Sequence, residues 1–294
     1  MMRIVPGEIK TGELHSYLLG AVAPRPICFA STLDKDGNPN LSPFSFFNVF
    51  GSNPTTLVFS PSRKVRDNTL KHTLLNIYDT KEVVINVVNY AMVQQMSLSS
   101  CEYPKGVDEF VKSGFTKLAS EKVKAFRVAE SPVQLECKVR DIIETGTEGG
   151  AGNLIICEVL VMHINDNILN EKNQIDPHKI DLVARMGGDF YCRASGAAVF
   201  EVAKPNTQLG IGVDALPESI RNSNILTGNN LGQLANVNEQ PFVDATFNDD
   251  KLKNIIQYFS INPEEMEKEL HAYAKELLDS GKVQQAWQVL LALN

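Results

Sequence analysis

Alternation of apolar and polar side chains is clearest over residues 133–143, where Val133, Leu135, Cys137 and Val139 interleave with Gln134, Glu136, Lys138 and Arg140. A period of two sends successive side chains to opposite faces, so this segment predicts a half-buried strand. Residues 154–164 are more uniformly apolar, as a central strand is. The connector 144–153 is glycine-rich, but it joins two strands and opens no helix, so it predicts a hairpin loop and not a phosphate cradle. The β-branched run 83–88 predicts another buried strand. Helical spacing occurs over 12–20, with Leu14, Leu18 and Leu19 on one side, and again over 91–98 and 107–112. Asp176-Pro177 predicts a capped helix running through Leu182, Val183 and Met186 to Gly187-Gly188.

Past residue 203 the pattern turns helical. Residues 204–207 predict a break, and 227–232 a capped short helix or loop. Leu252, Ile255, Ile256 and Phe259 share a face, and Asn262-Pro263-Glu264-Glu265 is a strong helix start. Leu270, Tyr273, Ala274, Leu277 and Leu278 continue the stripe to Ser280-Gly281, and a last helix over 283–293 carries Ala286, Trp287, Leu290 and Leu291. One helical hairpin is not a repeat array, and its stripe is expected to pack on the first domain or a partner subunit. The expected division is 1–202 and 203–294.

Residues 25–69 carry the candidate chemistry. Asp34-Lys35-Asp36-Gly37-Asn38 is a hairpin turn between two apolar runs. Asn40, Ser42, Ser45 and Asn48 then stand among Pro43, Phe44, Phe46 and Phe47, a surface suited to a flat amphipathic ligand. A third strand, 56–60, leads into residues 61–69, where Arg63, Lys64 and Arg66 gather with short polar side chains at a helix start. Cations, hydroxyls and free N–H groups of this kind hold a phosphate.

Composition narrows the partners. A net charge of −7 over 294 residues implies no basic face for nucleic acid or an anionic membrane. Five widely spaced cysteines indicate neither a disulfide framework nor a zinc site, and a reducing compartment fits them. With no signal-like N-terminus and no apolar run near the roughly 20 residues of a span, the expectation is a soluble, cytoplasmic protein. His15, His72, His178 and His271 lack metal-ligand spacing, and neither G-x-S-x-G nor H-E-x-x-H occurs, so no metal and no catalytic residue is expected.

Arg25-Pro26-Ile27, then Ser31-Thr32-x-Asp34-x-x-Gly37-x-x-Asn40-x-Ser42-Pro43-Phe44-Ser45, followed by an Arg/Lys loop with Asn68-Thr69, resembles the flavin reductase family of FMN-binding split barrels. Arg185-Met186-Gly187-Gly188-Asp189-Phe190-Tyr191 resembles that family's R-x-G-G-x-x-Y segment. The resemblance spans roughly residues 10–200 and stops short of the tail. It implies a mainly β (α+β) fold, an FMN-binding split β-barrel with peripheral helices, here carrying a C-terminal α-helical extension. It also implies FMN as cofactor, NADH or NADPH as electron donor, and a homodimer with flavin sites near the subunit interface.

Carried over by position, Asn40, Ser42, Pro43, Phe44 and Ser45 would line the flavin ring and its edge. Ser31, Thr32, Ser60, Arg63, Lys64, Asn68 and Thr69 would serve the ribityl chain and phosphate. His163, Arg185 and Tyr191 are candidates for the pocket or the subunit seam beside it, and residues 101–120 for a cover. Singly, each hydroxyl is an ordinary strand residue, and the grouping carries the inference. Two activities are compatible: an NAD(P)H-dependent flavin reductase, and a non-enzymatic FMN electron carrier serving protein partners. Haem or a pyridoxal phosphate relative is a weaker third.

Overall fold

The computed structural model describes residues 1–203 and 209–292. The chain falls into two compact units, Met1–Phe200 and Glu201–Asn294.

In the first unit, helix α1 (Thr11–Ala21) precedes β1 (Cys28–Leu33), β2 (Pro39–Phe44), β3 (Phe47–Ser52) and β4 (Thr55–Phe59). Helix α2 (His72–Thr80) leads to β5 (Glu82–Val87), then α3 (Val93–Leu98) and α4 (Glu109–Ser113). A short pair, β6 (Lys117–Leu118) and β7 (Arg127–Val128), precedes the long strands β8 (Val133–Glu144) and β9 (Asn153–Ile164). A second short pair, β10 (Val183–Arg185) and β11 (Tyr191–Arg193), follows.

Seven strands form one antiparallel sheet in the order β2-β1-β5-β8-β9-β4-β3. Its two outermost strands are consecutive in the chain, since β2 ends at Phe44 and β3 starts at Phe47. Three backbone steps reach at most about 11 Å. The sheet must therefore roll until its edges approach, and because β2 and β3 do not pair, the result is a barrel split at that seam. Register shifts in β8 at Glu136/Cys137 and Val139/Asp141, and in β3 at Val49/Gly51, supply the bending that bulges give.

Period-two alternation sorts the core. Cys28 and Ala30 of β1 join Leu57, Phe59, Val83, Ile85, Leu135, Cys137, Ile155 and Cys157, covered by Leu74 and Ile77 of α2. Phe29, facing the other way, joins Leu41, Met92, Met96, Phe110 and Phe115. The expected hairpin forms: the Asp34 carboxylate accepts from the N–H groups of Asp36 and Asn38 at 2.9 Å each, and Gly37 takes φ +86°.

Four expectations change. No helix forms over 177–186. Asp176 does accept from the N–H groups of His178 and Lys179, and Ile180 completes one turn, but Asp181 then turns left-handed at φ +53°. Arg185 exchanges two backbone bonds of 2.9 Å with Arg25, and Gly187-Gly188 lies in the β10–β11 turn. Ladder partners distant in sequence outbid the local cap. Residues 47–52, read only as a polar-aromatic surface, form edge strand β3.

The polar face of β8 is also buried at its start, because residues 119–128 fold over it. Glu136 is 0% exposed and accepts from the N–H groups of Glu121 (2.9 Å) and Lys122 (2.6 Å), with His163 Nε2 at 2.7 Å. Burial pushes its pKa up, but these bonds win and hold it below the ordinary carboxylate value. A depressed folded-state pKa stabilises above the unfolded value and loses that contribution as pH falls. Wild type should therefore exceed Glu136→Gln by about 2 kcal/mol near neutrality, the gap closing in urea titrations as pH falls below the ordinary carboxylate range. A gap independent of pH would remove the role of the charge.

The second unit comprises α5 (Glu218–Arg221), α6 (Gly228–Ala235), α7 (Asp250–Tyr258), α8 (Pro263–Asp279) and α9 (Val283–Leu290). Thr227 and Asn230 form a capping box on α6, and Asn262 caps α8. The helical stripes do not need the first domain or a partner to be buried, contrary to expectation. Leu234, Leu252, Leu270, Ala274 and Trp287 meet in a core made of this unit's own residues, and Trp287 Nε1 donates to the Leu234 carbonyl at 3.2 Å. The predicted break at 204–207 and the last residue of the helix predicted over 283–293 lie outside the described residues.

Candidate functional site

The barrel's seam opens into a cleft of about 480 Å³, within the usual range of small-molecule sites. One wall is Ser42, Pro43, Phe44, Ser45 and Phe46, the end of β2 and the two-residue link that crosses the split. Ser60, Ser62, Arg63, Lys64, Val65, Arg66 and Lys71, from the segment between β4 and α2, also line the cleft, and Ser60 N–H donates to the Phe46 carbonyl at 2.9 Å. His15 and Leu19 of α1, Ser100, Glu102, Gly150 and Arg185 complete the lining.

The loop before α2 is held from outside. Arg63 N–H donates to the Ala151 carbonyl (2.9 Å), Gly150 N–H to that of Arg63 (3.0 Å), and Asn153 Nδ2 to that of Pro61 (2.7 Å). Residues 144–153 are the hairpin loop expected from sequence, but they also buttress the cationic loop. A Cβ on Gly149 would sit 3.1 Å from the carbonyl oxygens of Lys64 and Val65, so glycine permits the close approach.

Six cations line the cleft, Arg25, Arg63, Lys64, Arg66, Lys71 and Arg185, in a chain of net charge −7. Arg63 is 17% exposed in its side chain; its nearest carboxylate, Glu144, is 3.7 Å away, and its buried Nε has no partner. That unpaired donor, with hydroxyls from Ser60 and Ser62 alongside, suits a phosphate. Pro43, Phe44 and Phe46 offer the apolar surface that a flat ring requires. Burial lowers the Lys71 pKa, as desolvation does to a cation.

Arg25, which sequence reasoning quoted but gave no site role, pins the seam. Its Nη1 donates to the carbonyls of Leu19 (2.6 Å) and Val22 (2.5 Å), Nη2 to that of Met186 (2.9 Å), and Nε to Ser45 Oγ (3.3 Å). Burial and then the neighbouring Arg185 lower its pKa. The end of α1, the β10–β11 turn and the β2–β3 link thus meet on one guanidinium.

Of the fifteen residues singled out from sequence, Ser42, Pro43, Phe44, Ser45, Ser60, Arg63, Lys64 and Arg185 come together in the cleft. The others lie elsewhere. Ser31 and Thr32 are wholly buried in β1, where Thr32 accepts from Asn76 Nδ2 at 3.0 Å. Asn40 is buried and donates to Ser42 Oγ at 3.3 Å, which makes it a support under the wall. Asn68, at φ +57°, donates to the Thr147 carbonyl, and Thr69 donates to Asp67 at 2.6 Å, lowering the Asp67 pKa to about 2. His163 sits on Glu136, and Tyr191 packs under the Arg185 guanidinium, 4.6 Å from its ring centre. His15 and Lys71 were missed, since nothing local marks them, whereas Glu102 belongs to the segment expected as a cover and Gly150 to the glycine-rich connector read only as a hairpin loop.

Among the described residues no His/Cys/Asp/Glu group could hold a metal ion, and no helix is long and apolar enough to cross a membrane.

An open antiparallel barrel with a cationic, partly apolar cleft at its seam defines a split-barrel protein. The family follows from comparison: the chain belongs to the Flavin reductase like domain family, whose model matches residues 20–179. An uncharacterized protein of Aquifex aeolicus is 38% identical over 201 residues, covering 68% of this chain and 100% of that one. The structure is similar to nitrilotriacetate monooxygenase component B from Bacillus cereus, with TM-score 0.64 and 25% identity over 69% of this chain and 98% of that one. It also shares its fold with the flavoredoxin of Desulfovibrio vulgaris (Miyazaki F), with TM-score 0.53 and 22% identity over 70% and 98% of the two chains.

Proposed function

We propose that this protein binds FMN in the seam cleft and is an NAD(P)H-dependent flavin reductase. The observation that carries the reading is that the Arg63–Lys64 loop, with an unpaired buried Nε on Arg63, and the Ser42–Phe46 segment line one cleft. FMN, when bound, supplies the hydride-accepting chemistry, and no acid or base is then required of the protein. Arg63 and Lys64 would hold the phosphate. Pro43, Phe44 and Phe46 would shield the ring from water, and Ser42 and Ser45 offer hydroxyls at its edge. A homodimer is supported by Val49 and Phe50, both exposed on edge strand β3, which pairs on one side only. Its five cysteines are free, as a cytoplasmic setting would leave them.

The test is a visible spectrum of the purified protein, followed by anaerobic NADH and then NADPH. Flavin bands that bleach quickly with either donor are expected, and the faster donor is the physiological one. Bands that bleach only with dithionite would replace the reductase with an FMN electron carrier. A protein that neither carries nor takes up FMN would overturn the reading.

A further inference from the structure

Glu102 is the one carboxylate among the described residues lining the cleft. Its Oε1 lies 3.1 Å from Lys64 Nζ and 3.8 Å from Lys71 Nζ, and its Oε2 lies 3.1 Å from Arg66 Nη2. Two anionic oxygens shared among three cations is the arrangement a phosphate would make with the same groups. The side chain is 48% exposed and belongs to the segment between α3 and α4, outside the barrel strands. It therefore reaches into the cleft from the solvent side, while Arg63, with its unpaired Nε, lies deeper.

We propose that Glu102 is a resident counter-anion that competes with the phosphate of an incoming flavin nucleotide and makes the flavin an exchangeable substrate. The inference rests on the flavin reading of the cleft and deepens it. Cations already paired with a carboxylate gain less from a phosphate, because the first pairing must be given up or two like charges must share the site. Half-exposed pairs are individually weak, so the competitor lowers affinity without blocking the cleft. Riboflavin, which has the same ring and no phosphate, should not sense Glu102. The carboxylate thus narrows the preference for the phosphorylated flavin and speeds its release.

The experiment is a comparison of wild type and Glu102→Gln for FMN, riboflavin and inorganic phosphate, by fluorescence quenching or calorimetry at fixed salt. Glutamine keeps the shape and removes the charge. FMN is expected to bind about tenfold more tightly to E102Q and to leave more slowly, with riboflavin unchanged. Unchanged or weaker FMN binding would overturn the inference, since Glu102 would then be inert or a clamp that holds the loop. An equal gain for riboflavin would also overturn it, because the effect would not involve the phosphate. If neither flavin binds either protein, the flavin reading fails. Tighter phosphate binding by E102Q would then still support the counter-anion, and unchanged phosphate binding would overturn it.

Discussion

Arg63→Ala with Lys64→Ala weakens FMN binding by about 3–4 kcal/mol, several hundredfold, while changing folding stability by about 1 kcal/mol or less. The asymmetry comes from where the two side chains spend their charge. Arg63 meets Glu144 only at 3.7 Å and leaves a buried Nε unpaired, and Lys64 meets the half-exposed Glu102. Neither pair adds much to the fold, so most of what these cations offer is held for a ligand. Isothermal titration with FMN, with riboflavin as the phosphate-free control, checks this. Equal FMN affinity in the double variant would sink the phosphate assignment.

Arg25→Ala should cost about 3–5 kcal/mol and lower the melting temperature of the first unit by about 10 °C. Arg25 is 6% exposed, and its removal takes the side-chain donor from three carbonyls, those of Leu19, Val22 and Met186. The three bonds are partly buried, so each carbonyl left without its charged partner costs about 1 kcal/mol or slightly more. FMN binding should fall as well, because Ser45 and the β10–β11 turn lose the group that locks them at the seam. Arg25→Lys restores the charge but not the planar fork, so it should recover only part of the loss. Thermal unfolding unchanged in Arg25→Ala would show that the guanidinium is dispensable to the seam.

The long strands 133–144 and 153–164, the hairpin at Asp34–Asn38 and the caps at Thr227 and Asn262 were all readable from sequence. Each depends on neighbours within a few residues, and alternation, turn chemistry and capping report that range directly. The cationic loop was readable for the same reason, because Arg63, Lys64 and Arg66 are close in the chain.

The arrangement of the site was not local. Thr32, Asn40 and Ser42 share one face of the β1–β2 pair, yet Thr73 and Asn76 of α2 bond to Asn40 and Thr32 and bury them, while Ser42 and Ser45, toward the seam, line the cleft. Asp176-Pro177 carries a good helix signal, but bonds from Arg25 to Arg185 and from Arg25 to Met186, 161 residues away, draw the following segment into a strand. The sequence by itself determined most of the strands and helices and that a cationic loop follows β4. Only the tertiary structure decided which side chains meet at the seam, that Glu102 faces the cations and that the helical tail fills its own core. Such contacts join residues whose separation along the chain is set by strand order, and strand order is fixed by the burial of the whole sheet at once rather than by any window of sequence.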